Sequence, residues 1–325
     1  MKRKWIRRVS WILLTPVLLF VILMILLYIP PVQNLLRREV TAYASKATGM
    51  QIQVERIDLR FPLNLLVRGV EVIQQPDTLL SLESLNVRVQ AWPLVKGKVE
   101  VDEVTLSQVA FNSANLIEGM KIKGVLGRFF LQSHGVDLSN ELAVINQTEL
   151  SDTHVQMLMN DTTTTPKDTT ASAPVNWKVD LHKLKLKNVS FSMQLPADSM
   201  RMAAHIGEAF INDAQADLKN QFYELKQFLL SGSSANYDPG AAKPGEGFDA
   251  SHIAVRDIRI GLDSLLYKSR DMNAVIREFS MNERSGLSIT SLTGRAFSND
   301  SIIRIPGIKL QTPHSEIDLS AQTYW

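Results

Sequence analysis

Val179-Asp180-Leu181-His182-Lys183-Leu184-Lys185-Leu186-Lys187-Asn188-Val189-Ser190-Phe191 decides how this chain is read. Its apolar residues fall at Val179, Leu181, Leu184 and Leu186, offsets 0, 2, 5 and 7, and continue to Val189 and Phe191. On a helix these offsets point in scattered directions and no apolar face forms. On a strand, offsets 0 and 2 share a face and 5 and 7 fall on the other. One extra residue in the gap restores the face, as a β-bulge or a sharp strand bend provides. The unit therefore reads as a bent strand with one apolar side.

The same pattern recurs along the chain. It appears as Ile52, Val54, Ile57, Leu59; as Leu80, Leu82, Leu85, Val87; and as Val99, Val101, Val104, Leu106, which continues to Val109 and Phe111. Later copies are Ile253, Val255, Ile258, Ile260 and Ile303, Ile305, Ile308, Leu310, with a looser one at Tyr223, Leu225, Phe228, Leu230. The gaps hold polar pairs such as Asp102-Glu103 and His182-Lys183, or the turn pair Pro306-Gly307. No unit can bury its apolar side alone, so the repeat predicts an elongated sheet growing along one axis. Between copies the chain is polar and variable in length. Asp161 to Pro174, rich in Thr, Asp and Ser, and Ser231 to Gly247, rich in Gly, Ser and Ala, read as loops. Ile206, Phe210, Ala214, Leu218, Phe222 and Leu225 fit an amphipathic helix, but alternation through Phe210, Ala214, Ala216 and Leu218 favours a strand.

The N-terminus is different. Trp11 to Ile29 carries no charge, and ~19 helical residues come close to the ~30 Å hydrocarbon core of a bilayer. Trp11 and Tyr28 sit near its ends, where such rings favour the lipid–water interface. Lys2, Arg3, Lys4, Arg7 and Arg8 precede the run, which keeps residues 1–10 cytoplasmic and sends the rest across. The competing reading, a cleaved signal peptide, requires a shorter apolar core and a small-x-small site, and Tyr28-Ile29-Pro30-Pro31-Val32 offers none. Residues 31–49 then read as an amphipathic helix through Val32, Leu35, Leu36, Val40 and Tyr43, stopped at Thr48-Gly49. Two placements are open for it: packed on the following sheet, or lying at the membrane surface with Arg37-Arg38 near headgroups.

Composition narrows the function. With 325 residues, 45% hydrophobic and 21% charged, the chain is neither disordered nor collagenous. A net charge of +2 argues against a nucleic-acid partner, and the absence of cysteine removes disulfides and thiolate chemistry. His134, His154, His182, His205, His252 and His314 are widely separated and read as solvent-facing or loop side chains; no H-E-x-x-H pair occurs. There is no G-x-S-x-G elbow, Walker A loop or G-x-G-x-x-G, and Gly119 to Gly127 lacks the required spacing. Asp102-Glu103 and Arg256-Asp257 sit in strand gaps, where polar residues belong anyway. The reading is a non-enzyme without cofactor or metal. Its apolar face is either the core of a closed sandwich or the lining of an open groove that holds acyl chains at roughly 0.8 kcal/mol per methylene kept from water.

Pro62-Leu63-Asn64-Leu65-Leu66-Val67-Arg68-Gly69-Val70-Glu71-Val72 is followed by Leu79-Leu80-Ser81-Leu82-Glu83-Ser84-Leu85-Asn86-Val87-Arg88-Val89 and by Leu94-Val95-Lys96-Gly97-Lys98-Val99-Glu100-Val101-Asp102-Glu103-Val104-Thr105-Leu106. This succession, behind one span and a short helix, resembles the start of AsmA-like proteins. It is most similar to the TamB branch, the inner-membrane subunits of the translocation and assembly module, in versions from Bacteroidetes-type bacteria. The likeness runs over nearly the whole chain and rests on apolar patterns. It implies a curved β-groove (a "β-taco") facing the periplasm and phospholipid transport between the inner and outer membranes. It also implies outer-membrane protein assembly with an Omp85-class barrel partner. Family members are far longer, so the stop at Tyr324-Trp325, within what reads as another strand, predicts a truncated chain.

The expected organisation is an anchor over 11–29, a helix over 31–49, groove segments over 50–160 and 177–325, and a loop over 161–176. At ~12 residues per strand the repeat predicts roughly 23 strands and a length on the order of 110 Å. Three functions follow as expectations: a lipid conduit lined by the repeat residues named above; a scaffold or chaperone for barrel proteins, working through exposed strand edges; and an anchored hydrolase with an unrecognised site.

Overall fold

The computed structural model describes residues 29–60, 63–90, 93, 100–137, 141–159, 176–240, 245–269 and 271–324. The expected anchor over Trp11–Ile29 (except Ile29 itself), Val99, and the Asp161 to Pro174 insertion lie outside them. Among the described residues no helix is long and apolar enough to cross a membrane.

The chain is mainly β, with 74% of residues in strands, in one large curved, open, mixed sheet of 15 strands. One helix, α1 (Pro30–Thr48), precedes β1 (Gln51–Arg60), β2 (Asn64–Gln74), β3 (Asp77–Val89), β4 (Val101–Asn112), β5 (Met120–Asp137), β6 (Leu142–Met159) and β7 (Lys178–Leu195). There follow β8 (Met200–Asp217), β9 (Phe222–Asp238), β10 (Ile253–Lys268), β11 (Asp271–Glu283), β12 (Ser288–Ile289), β13 (Ser291–Ser298), β14 (Ile302–Gln311) and β15 (Glu316–Tyr324). Strands pair in sequence order, with short β12 paired only to β11. β1 and β15 are the outermost described strands, and α1 lies along the outer side of β1. Every pairing is antiparallel except β6 with β7, which is parallel. A parallel neighbour requires a crossover connection, and the insertion at 160–175 falls in that connection. The sheet continues through it, so residues on both sides belong to one sheet.

Each described copy of the repeat is a strand: β1, β3, β4, β7, β9, β10 and β14. Polar stretches between copies form strands as well, among them β2, β5 and β6. β5 through β10 run 16 to 18 residues, longer than the ~12 assumed, so the described sheet has 15 strands rather than 23. Fourteen rungs at ~4.8 Å span about 60 Å. The loop expected over Ser231 to Gly247 is also corrected, because β9 continues to Asp238. Residues 206–217 are strand, and the chain turns at Leu218–Gln221 before β9.

α1 begins with Pro30 at its first turn, where a missing N–H costs nothing. It ends at Gly49, whose φ of 70° places it in the left-handed C-cap conformation, its N–H donating to the Ser45 carbonyl. The helix lies along the free edge of β1. Arg37 donates to the Val54 and Glu55 carbonyls at 3.3 and 3.1 Å, and the Ile52 N–H donates to Ser45 Oγ at 3.1 Å. The side that meets the sheet is therefore polar. Leu35, Val40 and Tyr43, which one of the two open placements would have packed on the sheet, are exposed.

Candidate functional site

Residues directly opposed on neighbouring strands share a face. In β1 to β4 one face pairs apolar residues: Ile57 faces Val67, Val67 faces Leu85 and Leu85 faces Leu106. One such row crosses all fourteen rungs: Leu59, Leu65, Val87, Val104, Leu131, Thr148, Leu184, Ile211, Phe228, Leu262, Ile276, Gly294, Ile308 and Leu319. Only Thr148 and Gly294 interrupt it. At Gly294 a Cβ would lie 2.5 Å from the Gly307 carbonyl oxygen, so a side chain has no room. The copies recognised in sequence are thus contributions to one continuous apolar face.

The parity slips are absorbed as expected, by an arrangement more regular than a series of bulges. Glu55 on β1, Gly69 on β2, Glu83 on β3 and Gln108 on β4 stand at one level across the sheet. Gly127 on β5, Asp152 on β6, Asn188 on β7 and Gly207 on β8 continue that level, and the Cα ladder skips it in every pairing. Register is identical above and below. Each strand spends one additional outward residue at the same height, so Glu55-Arg56 or Lys187-Asn188 both leave the apolar side. Left-handed backbone occurs at Gly69 (φ 58°), Gln108 (φ 50°), Asp152 (φ 51°) and Asn188 (φ 53°), and further along at Gly232 (φ 59°) and Asp257 (φ 54°). Glycine, asparagine and aspartate tolerate that region best. Between β9, β10 and β11, and between β13, β14 and β15, true register shifts replace the paired arrangement.

A second polar level runs parallel to the first. His182 Nδ1 lies 3.1 Å from Asp213 Oδ1, Lys226 Nζ lies 3.7 Å from Asp213 Oδ2, and Arg277 donates to Asp263 at 3.1 Å. The hydrogen bond with His182, aided by the Lys226 charge, holds the Asp213 carboxyl below its ordinary value. Asp213 itself has φ 50°. The two levels put charged and polar side chains on the outer face, which also carries Leu66, Phe130, Phe210 and Leu229.

The 23 described residues expected to line the face are neither exposed nor deeply buried. Leu82 is buried at 7% exposure and the others are half-buried. No side chain is fully buried among the described residues. The sheet is open, not a closed, filled sandwich, and among the described residues no second layer lies over the apolar side. β8 hollows it further. Its inward residues alternate small with branched (Ala204, Ile206, Ala209, Ile211, Ala214, Ala216), between the leucines of β7 and the aromatics and leucines of β9. Val179, Leu181, Ala214, Ala216, Tyr223, Leu225 and Leu265 surround an open trough of about 250 Å³ there.

The described histidines lie apart from the apolar row and meet local partners. His154 contacts Gln156, His205 contacts Ser190, and His134 contacts Asn146. His252 departs from the solvent-facing expectation: it is 4% exposed, with Nδ1 2.8 Å from Asp249 and Nε2 3.8 Å from Asp238. It anchors the segment after β9. Among the described residues no three His, Asp or Glu side chains converge as a metal site. Glu103 pairs with Arg88 at 3.1 Å and Asp257 accepts from Asn282 at 3.2 Å, so both gap carboxylates tie neighbouring strands.

Sequence reasoning missed the inner residues of β5, β6 and β8, because Gly124, Thr148, Thr153 and the alanines break the apolar pattern. Asn, Asp or Gly one residue before the apolar pattern resumes (Asp152 before Thr153, Asn188 before Val189, Asp257 before Ile258) was the available signal. No protein-family model matches the chain, and no curated protein matches it in sequence.

Proposed function

We propose that this chain is a non-enzymatic, AsmA/TamB-like lipid conduit, anchored in the bacterial inner membrane by Trp11–Ile29 with its bulk in the periplasm. One observation carries the proposal: an apolar face crossing fourteen rungs with no second layer over it among the described residues. An uncovered face of that length is costly in water and offers an acyl chain a hydrocarbon-like path of about 60 Å. The polar levels at Glu55–Asn188 and His182–Asp263 place charged side chains on the opposite side. The curved groove shape, the single span and the phospholipid cargo belong to this proposal.

A photo-crosslinking amino acid at Leu184 or Val104, in the full chain in cells, should capture phospholipid; one at outward Lys185 should not. Leu184→Asp should abolish capture at Val104 while the strand content is retained. Equal capture at Leu184 and Lys185, or none at any inward site, would sink the conduit.

A second reading, a scaffold or chaperone for barrel proteins, has its own support in β15. All nine of its residues are exposed, Ile317, Leu319 and Tyr324 among them, and an exposed strand of this kind can pair with a further strand. Crosslinkers at Leu319 would then capture an Omp85-type barrel or its strands in place of lipid.

A further inference from the structure

α1 presents two rows that the sheet treats differently. At 100° per residue, Arg37, Thr41 and Ser45 form an i, i+4 row, and this row lies against β1. Arg37 bonds the Val54 and Glu55 carbonyls, Ser45 accepts from Ile52 N–H, and the Thr41 hydroxyl is buried. Val32, Val40, Tyr43 and Ala47 form a second row centred roughly 140° away around the axis. That row is turned from the sheet. Val40 is 51% exposed and Tyr43 78%. An amphipathic helix ordinarily buries its apolar stripe against the domain; here the polar stripe does that work, capping the backbone of an edge strand that would otherwise be open.

The position of the helix in the chain identifies what the apolar row meets. α1 starts at Pro30, directly after the uncharged run Trp11–Ile29. A chain leaving a bilayer at Ile29 has its next turns within the headgroup region, and Pro30-Pro31 permits a change of direction there. Exposed Lys46, at the flank of that row, supplies cationic charge, and tyrosine is a side chain suited to the lipid–water boundary. Arg37, which the sequence offered as a headgroup partner, is committed to β1.

We propose that α1 lies in the plane of the membrane surface, with Val40, Tyr43 and Ala47 seated among acyl chains and Lys46, at the flank of that row, at anionic headgroups. β1, held to the other side of the same helix, is thereby fixed at the bilayer, and its Ile52 and Val54 become the first rung a lipid meets. The helix is a platform that sets where the apolar face begins. This inference rests on the anchor in the proposed function and deepens it.

The chain has no cysteine, so one introduced cysteine is a unique labelling site. The full chain is reconstituted in phosphatidylcholine vesicles with a minority of phosphatidylglycerol. An environment-sensitive fluorophore is placed in turn at Ala47→Cys, Ile22→Cys and Asp318→Cys, with spin-labelled lipids as quenchers. Expected are blue-shifted emission and strong quenching at both Ile22 and Ala47, and neither at Asp318. Quenching at Ile22 without quenching at Ala47 overturns the platform while leaving the anchor standing. Loss at Ile22 as well refutes the anchor and the platform together. Quenching at all three sites marks non-specific adsorption and also overturns it.

Discussion

Asn188 offers a test in which the ordinary rule for strands must change sign. It lies mid-strand in β7, where a regular β position favours valine over glycine on a scale of about 1 kcal/mol. Its backbone, however, has φ 53°. Valine in the left-handed region is strained by about 1–3 kcal/mol. Asn188→Val also removes the 2.8 Å hydrogen bond from Asn188 Nδ2 to Asp152 Oδ1, an exposed bond worth about 0.5–1 kcal/mol. The sum is a loss of about 2–4 kcal/mol. Asn188→Gly loses the same bond but suits the backbone, so it should stay within about 1 kcal/mol of the parent. Lys185, three residues earlier and paired with Glu149 and Phe210, is the ordinary control, where Lys185→Val should be at least as stable as Lys185→Gly. Urea titration of the full chain in detergent, read by circular dichroism, gives the order. A sheet of neighbour contacts can open locally, so hydrogen exchange across β6, β7 and β8 gives the same comparison at the site. Should Asn188→Val match or exceed Asn188→Gly, the parity slip is not absorbed by a left-handed residue and the shared level across the sheet has another cause.

Gly127→Ala should destabilise the same level by about 1–3 kcal/mol, since a Cβ there would stand 2.7 Å from Asp152 Cβ and 2.9 Å from its carbonyl oxygen; a neutral outcome in the same titration would remove close approach as the reason for glycine. The segment around Asp249 should loosen in acid. Hydrogen bonds from the Gly245 and Ser251 N–H groups, then the contact with His252, lower the Asp249 carboxyl to about 2. A depressed carboxylate stabilises the fold above its unfolded value near 4 and loses that contribution as pH falls toward 2. Hydrogen-exchange protection over 245–252 should therefore drop across that window in the parent and show no such step in Asp249→Asn; an identical profile in both would contradict the assignment.

The face was readable where both strands of a pair carry branched side chains, as in Ile57, Val67, Leu85 and Leu106. It was not readable in β6 and β8, because a half-buried rung tolerates Thr148, Thr153 or Ala214, whose small or polar side chains carry no hydrophobic signal. Strand length was misjudged for a related reason. The 0, 2, 5, 7 unit marks the stretch around one slip, whereas β7 contains two slips, at His182-Lys183 and Lys187-Asn188, and runs 18 residues. Ser231 to Asp238 read as a loop from its composition, yet its strand pairing is fixed by β8 and β10 on either side. α1 shows the opposite limit: periodicity located its apolar row correctly, but it could not reveal that β1 presents bare carbonyls at Val54 and Glu55. Those carbonyls favour Arg37, and the side of the helix that docks follows from them.

The shared level crosses β1 to β8, where Gly69, Gln108, Asp152 and Asn188 take the left-handed backbone and Glu55, Glu83, Gly127 and Gly207 do not. Each antiparallel pairing thus opposes one left-handed residue to one that is not, and in the parallel pair Asp152 and Asn188 both are. The level gives these strands two consecutive outward residues, such as Glu55-Arg56 and Lys187-Asn188, so one device both breaks the regular ladder and adds charge to the outer side.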